Sequence, residues 1–182
     1  IDLDPYGWGY IEDGLAIKDR LLLKFPARFD LAAAMHVPAY PFFISGPLMI
    51  SESLTAVSSF NLVVSVLAIG IVYLVAYALT EDRIVSIIAA GLLAVSTQHI
   101  VYSGYEFPMP LSVFFVSLEL LFLVCFLKTK SRSVGLGLLS LFFITVNIKP
   151  ENIVFLFVIL FALARDAKSG REWRQALKSY LL

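Results

Sequence analysis

Two long stretches without a single Asp, Glu, Lys or Arg constrain this chain more than any other feature. They are 53–80, between Glu52 and Glu81, and 84–105, between Arg83 and Glu106. A helix needs about 20 apolar residues to cross roughly 30 Å of hydrocarbon, and both runs meet that length. The composition agrees. The chain is 59% hydrophobic and 15% charged, where a soluble domain carries about half and about a quarter. The expected fold is therefore all-α, a polytopic membrane helical bundle.

Five spans are expected, at about 57–79, 84–102, 111–127, 134–148 and 152–164, with Thr80 as the N-cap of the second. They form one membrane domain covering 1–182, with an external loop over 1–50 and a basic, helical tail over 165–182 carrying Trp173 as an interface anchor. The formal net charge is zero, so nothing points to a nucleic-acid partner. The single Cys125 excludes an internal disulfide. The segment opens at Ile1 without a basic–apolar–small leader pattern. It is expected to be a piece of a longer protein, with a helix before Ile1 and more after Leu182.

The first fifty residues differ from the rest, mixing acids, bases, aromatics and prolines. Asp2 and Asp4 precede Pro5, and Gly7 and Gly9 flank Trp8, a turn-rich opening. Over 11–25, Ile11, Leu15, Leu22 and Phe25 share one helical face, with Glu12, Asp13 and Asp19 mostly off it. Such a short amphipathic helix lies in the interface plane, and Pro26 stops it. A second short helix is expected over 29–40, broken by Pro38 and Pro41, and 42–50 reads as a re-entrant or interfacial helix.

Basic residues set the orientation. Arg83, then Lys128, Lys130 and Arg132, then Arg165, Lys168, Arg171, Arg174 and Lys178 fall on one side; the opposite turns hold only Lys149. The basic side should be cytoplasmic, which makes the N-terminal arm external or luminal, in a plasma membrane or the endoplasmic reticulum. That outer side collects His99, Tyr102, Tyr105 and Glu106 at one hairpin and Lys149 and Glu151 at the next. The last two spans are short, since about 15 residues rise roughly 22 Å. Their turn, 147–152, either lies below the outer surface and lines a wetted cavity, or the helices extend a turn further and Lys149 snorkels. Glu119 falls near mid-bilayer with Ser112 on its face. It is expected to be a neutral carboxyl hydrogen-bonded inside the bundle, in a structural role.

The order of these features resembles the GT-C glycosyltransferases of the protein-mannosyltransferase and aminoarabinose-transferase type. Asp2-Leu3-Asp4 stands where that family carries an acidic motif in its first external loop, although Pro5 follows in place of the frequent Asp-Glu pair. His36-Val37-Pro38-Ala39-Tyr40-Pro41 resembles the end of that loop. Ser96-Thr97-Gln98-His99-Ile100-Val101-Tyr102-Ser103-Gly104 resembles the close of the third helix, with Gly104 where an Arg is usual, and Lys149-Pro150-Glu151-Asn152 a later basic-x-Glu turn.

The resemblance implies inverting transfer of a sugar from a polyprenyl-phosphate carrier to an acceptor outside the cytoplasm. An acceptor hydroxyl attacking the anomeric carbon needs a carboxylate as general base. Asp4 is the first candidate and Asp2 the second. The departing phosphate needs a cation or hydrogen-bond donors, for which Lys149 is best placed, with His99 and Tyr102 as donors. His36, Tyr40, Glu106 and Glu151 complete the expected substrate contacts. The donor and membrane lipid are the expected partners; sugar, acceptor, cofactor and metal stay open. Plain alternatives stand beside these roles: Asp4 as a turn cap, His99 as a packing residue, Glu106 as a loop charge, and the tyrosines as an aromatic belt. The rival reading is a secondary transporter or lipid flippase in which Glu119 couples protons, and a third is a non-catalytic scaffold.

Overall fold

The computed structural model describes residues 5–22 and 39–166, and among these there are helices and no strands. Eight α-helices follow in order: α1 (Pro5–Leu21), α2 (Ala39–Ile50), α3 (Leu54–Thr80), α4 (Arg83–Ala94), α5 (Thr97–Ser103), α6 (Met109–Thr129), α7 (Arg132–Ile148) and α8 (Val154–Asp166). A 3₁₀ turn, Pro150–Ile153, joins the last two.

Local chemistry fixes the helix ends. Ser53 stands in an extended conformation and its hydroxyl accepts the Ala56 N–H at 3.3 Å, capping α3. At the other end Thr80 is the last residue of α3, and its hydroxyl donates to the Ala76 carbonyl at 2.8 Å. The start of α4 is capped instead by Asp82, which accepts from Ile84 and Val85 N–H at 2.7 and 3.3 Å. The expectation of Thr80 is thereby corrected. A helix that runs through Thr80 leaves its hydroxyl bonded backwards, and the Asp82 carboxylate suits the positive end of α4.

Two helices, α3 with 27 residues and α6 with 21, are long and apolar enough to cross a membrane alone. The run expected as one span over 84–102 is two helices, α4 and α5, bent by 57°. Ser96 leaves the helical region there, with φ −62° and ψ 118°. Ser and Thr offer the backbone alternative hydrogen bonds, so a Ser96-Thr97 pair is a weak point in a helix. The stretches 132–148 and 150–164 are shorter apolar helices.

α3 packs on α4 and α6, α6 on α7, and α2 against α3 and α7. The main core gathers Tyr40, Ile44 and Leu48 from α2, Val57 and Val64 from α3, Leu111 and Phe115 from α6, and Leu141 and Ile148 from α7. Between α6 and α7 a β-carbon on Gly137 would sit 2.5 Å from the Phe122 ring. Only glycine permits that approach, the small-residue contact typical of helices packed in lipid. Outward-facing residues such as Ile84, Ile87, Leu92, Phe157 and Phe161 are large and apolar, as a lipid-facing surface requires.

The described part of the N-terminal segment packs onto the bundle rather than standing apart from it as an arm. α1 begins at Pro5 rather than Ile11 and ends at Leu21. It docks on α2 at Gly14, where a β-carbon would meet Ile44 at 2.9 Å. Lys18, 3% exposed, pairs with Glu52 at the α2–α3 turn and lies 3.5 Å from Asp19. α2 accepts Pro41 in its first turn and buries Tyr40, Ile44 and Leu48 at four-residue spacing. A helix with so continuous an apolar stripe is driven into the bundle rather than left beside it. Asp2, Asp4 and His36, most of the expected 29–40 helix, and 167–182 lie outside the described residues.

Candidate active site

One face of α3 anchors the elements around the site. Ser58, Asn61 and Ser65 are spaced three and four residues apart, so they line up along the helix. Ser58 Oγ donates to Glu106 Oε1 at 2.9 Å. Asn61 Nδ2 donates to the Tyr105 carbonyl at 2.6 Å, with the Tyr40 hydroxyl at 3.1 Å and the Phe107 carbonyl at 3.4 Å. The Ser65 carbonyl accepts from His99 Nε2 at 3.3 Å. A carbonyl can only accept, so Nε2 carries the hydrogen and Nδ1 is the ring's remaining nitrogen. Asn61, Ser65 and His99 are all buried. Sequence reasoning missed this stripe, though a polar residue at helical period inside an apolar run was the signal for it.

The bend between α4 and α5 opens beside the stripe. Ser96, Gln98, His99 and Tyr102 line one side of a cavity of about 160 Å³, and Met109 and Pro110 at the start of α6 line another. Non-helical backbone within a membrane protein is tolerable where it faces protein or a wetted cavity. Tyr102 sets its ring edge-on to Phe107, centroids 6.0 Å apart, which ties the cavity wall to the turn that Asn61 holds.

Lys149, on the next turn, touches one residue of the cavity wall. α7 ends at Ile148, Lys149 is extended (φ −149°, ψ 111°), and Pro150 opens the 3₁₀ turn. Its Nζ donates to Sδ of Met109 at 3.4 Å, so the ammonium rests on a residue of the cavity wall. Among the described residues it has no ion pair, and Glu151 beside it is exposed. Asn152 pins the turn, its Nδ2 donating to Ser112 Oγ at 2.8 Å and to the Thr145 carbonyl at 3.1 Å.

The expected site residues thus divide. His99 and Tyr102 line the cavity, and Lys149 touches its wall through Met109. Glu106 sits on the adjoining turn, held by Ser58. Glu151 faces α1: burial, then the carboxylates of Glu151 and Asp13, hold the Tyr10 hydroxyl above the usual tyrosine range. Tyr40 is fully buried, edge-on to Tyr10 at 5.1 Å and bonded to Asn61. In this structure it contacts protein on all sides. Glu119 is 2% exposed and is not among the cavity residues. Both its oxygens are buried without a hydrogen-bond partner among the described residues, and Thr145 beside it donates to the Leu141 carbonyl at 2.7 Å. The expected hydrogen bond is not made in this geometry, and Thr145, whose hydroxyl donates to its own helix, keeps lone pairs with which to accept from a neutral carboxyl.

Chemically, the cavity is lined by an imidazole, a phenol and a carboxamide, and an ammonium rests on Met109 of its wall, a set suited to an anion with attached hydroxyls. Comparison with known proteins bears on this set. A sequence model of the dolichyl-phosphate-mannose-protein mannosyltransferase family matches residues 35–182, a range holding the α3 stripe, the cavity and the Lys149 turn. No curated protein and no solved structure matches the chain. With most of its length covered by that family's pattern, and with apolar helices able to span a bilayer, the chain belongs to the dolichyl-phosphate-mannose-protein mannosyltransferase family of integral membrane glycosyltransferases, which are of the GT-C type.

Proposed function

We propose that this chain transfers a sugar from a polyprenyl-phosphate carrier to an acceptor on the external or luminal side of the membrane, with inversion at the anomeric carbon. The observation that carries the reading is the meeting of His99, Tyr102 and the Met109-bound Lys149 at one cavity. In the reaction the acceptor oxygen bonds to the anomeric carbon and gives its proton to a carboxylate, Asp4 or in second place Asp2. The bond from that carbon to the phosphate oxygen breaks, and the electron pair leaves with the lipid phosphate. Lys149 and the donor groups of the cavity stabilise the charge that gathers there. Glu106 and Glu151 border the same end of the bundle and contact the polar parts of sugar or acceptor, as His36 does from the N-terminal segment.

The rival transporter or flippase reading has the bent α4–α5 pair and the buried Glu119 on its side. It does not account for the family or for the cation at the cavity wall.

The test uses the full-length protein in nanodiscs, polyprenyl-phosphate mannose as donor and a membrane extract as acceptor source. Asp4→Asn should lower release of polyprenyl phosphate about 100- to 10,000-fold, the range of general-base catalysis, while donor binding persists. Lys149→Met should weaken donor binding and Lys149→Arg keep part of it. Unchanged release in both Asp4→Asn and Asp2→Asn, with unchanged binding in Lys149→Met, would remove this reading.

A further inference from the structure

We propose that Asn61 is a positioning residue for the cavity: its carboxamide sets the α5–α6 turn against α2 and thereby holds the wall on which the donor rests. The inference deepens the glycosyltransferase reading and rests on it.

Three observations carry it. Asn61 is fully buried, and one nitrogen faces three oxygens, two of them backbone carbonyls of the turn and the third the Tyr40 hydroxyl. Carbonyls cannot donate, so the amide must present its N–H groups there, and no other side chain of that length offers two donors from one atom. Second, the turn is otherwise held at its edges: Glu106 by Ser58, Phe107 against Tyr102. It runs directly into Met109 and Pro110, which line the cavity. Moving the turn moves the wall, and Lys149 rests on the same Met109. Third, Asn61 Oδ1 is buried with no partner among the described residues. A buried acceptor left unsatisfied is costly, so the position keeps its amide for what the nitrogen does.

Other residue types fail for stated reasons. Leu matches the shape but leaves the turn carbonyls without donors. Asp presents acceptors to the two carbonyls. Gln places the nitrogen a methylene too far. Asn61 is linked through Tyr40 to the N-terminal segment as well, so the carboxamide couples α2 to the cavity.

The experiment uses the full-length protein in nanodiscs and two readouts: hydrogen exchange of amides 104–109, and the dissociation constant for polyprenyl-phosphate mannose. In Asn61→Leu, exchange over 104–109 should rise at least about tenfold while α7 and α8 are unaffected. The donor constant should rise about tenfold, the equivalent of about 1.4 kcal/mol of binding free energy lost with the wall. Tyr40→Phe, which keeps both carbonyl contacts, should move both readouts the same way by about threefold, and it serves if Asn61→Leu does not fold. Exchange that is unchanged, or that rises evenly over the whole chain, would overturn the inference. So would loosened amides with an unchanged donor constant. If the unaltered protein does not bind this donor, the proposed function falls instead, and the exchange pattern still decides whether Asn61 holds the turn.

Discussion

The two ends of the bundle handle polar groups in opposite ways. At the cavity end they are buried or half-buried and reach across elements: Ser58 to Glu106, Asn61 to the α5–α6 turn, Asn152 to Ser112 and Thr145. At the basic end they are exposed and bond within their own turn: Thr80 to Ala76, Thr129 to Cys125, Ser131 to Ser133. A link between elements there, Lys128 to Glu81 at 3.5 Å, joins side chains that are 53% and 80% exposed. Glu81 and Lys130 take left-handed conformations to end α3 and α6, φ 58° and 54°. That end is a pair of helix stops. The cavity end is a network in which each bond fixes a neighbour, and removing one leaves another group unsatisfied in a poor solvent.

The sharpest way to break the contrast is at Asn152. Asn152→Ala leaves the Ser112 hydroxyl buried without its donor and opens a void. A loss of about 2 kcal/mol is expected, read as a lower unfolding midpoint in nanodiscs. A loss near zero would mean the cavity end is not a network. Ser58→Ala should cost less, about 1 kcal/mol, since the bond it removes is to a carboxylate but is only partly buried. The same midpoint checks it, and a cost as large as that of Asn152→Ala would put the anchor at Glu106 instead. Lys128→Ala should cost below about 0.5 kcal/mol, as exposed pairs do. A larger drop would show the basic end to be coupled as well.

Much of this fold could be read from residues, and the failures have causes. The α3 and α6 runs declare themselves because length and absence of charge suffice. The break at Ser96 does not, because an uncharged Ser-Thr-Gln sequence is compatible with a span until a cavity beside it gives the bend a use. Thr80 misled because it lies next to the true cap and has the same capping chemistry as Asp82. The 42–50 stretch reads as re-entrant or interfacial because it is too short for a span, whereas the four-residue spacing of Tyr40, Ile44 and Leu48 was the sign that it belongs to the core. That His99, Tyr102 and Lys149 lie at one end of the bundle was legible from topology. The spacing of Asn61 with Ser58 and Ser65 was legible too, but what it holds was not. Its partners are carbonyls more than forty positions away, and backbone acceptors leave no mark on a sequence.

One feature of α6 bears on how the protein is made. Helices enter the membrane in the order of synthesis, so α6 arrives with Glu119 before α7 exists to cover it. An ionisable residue at mid-span raises the cost of insertion by about 3 kcal/mol, and each Leu, Phe or Val returns about 0.3 to 0.6. α6 carries enough of these, with a mean hydropathy of 2.4 over its most apolar stretch, to enter unaided. α7, with only 17 residues and glycines at 135 and 137, has far less reserve. It gains a seat from the Phe122–Gly137 contact that α6 presents. The helix burdened with a carboxylate is therefore the one that receives the next, and the interval between their arrivals is when the nascent chain is most open to quality control.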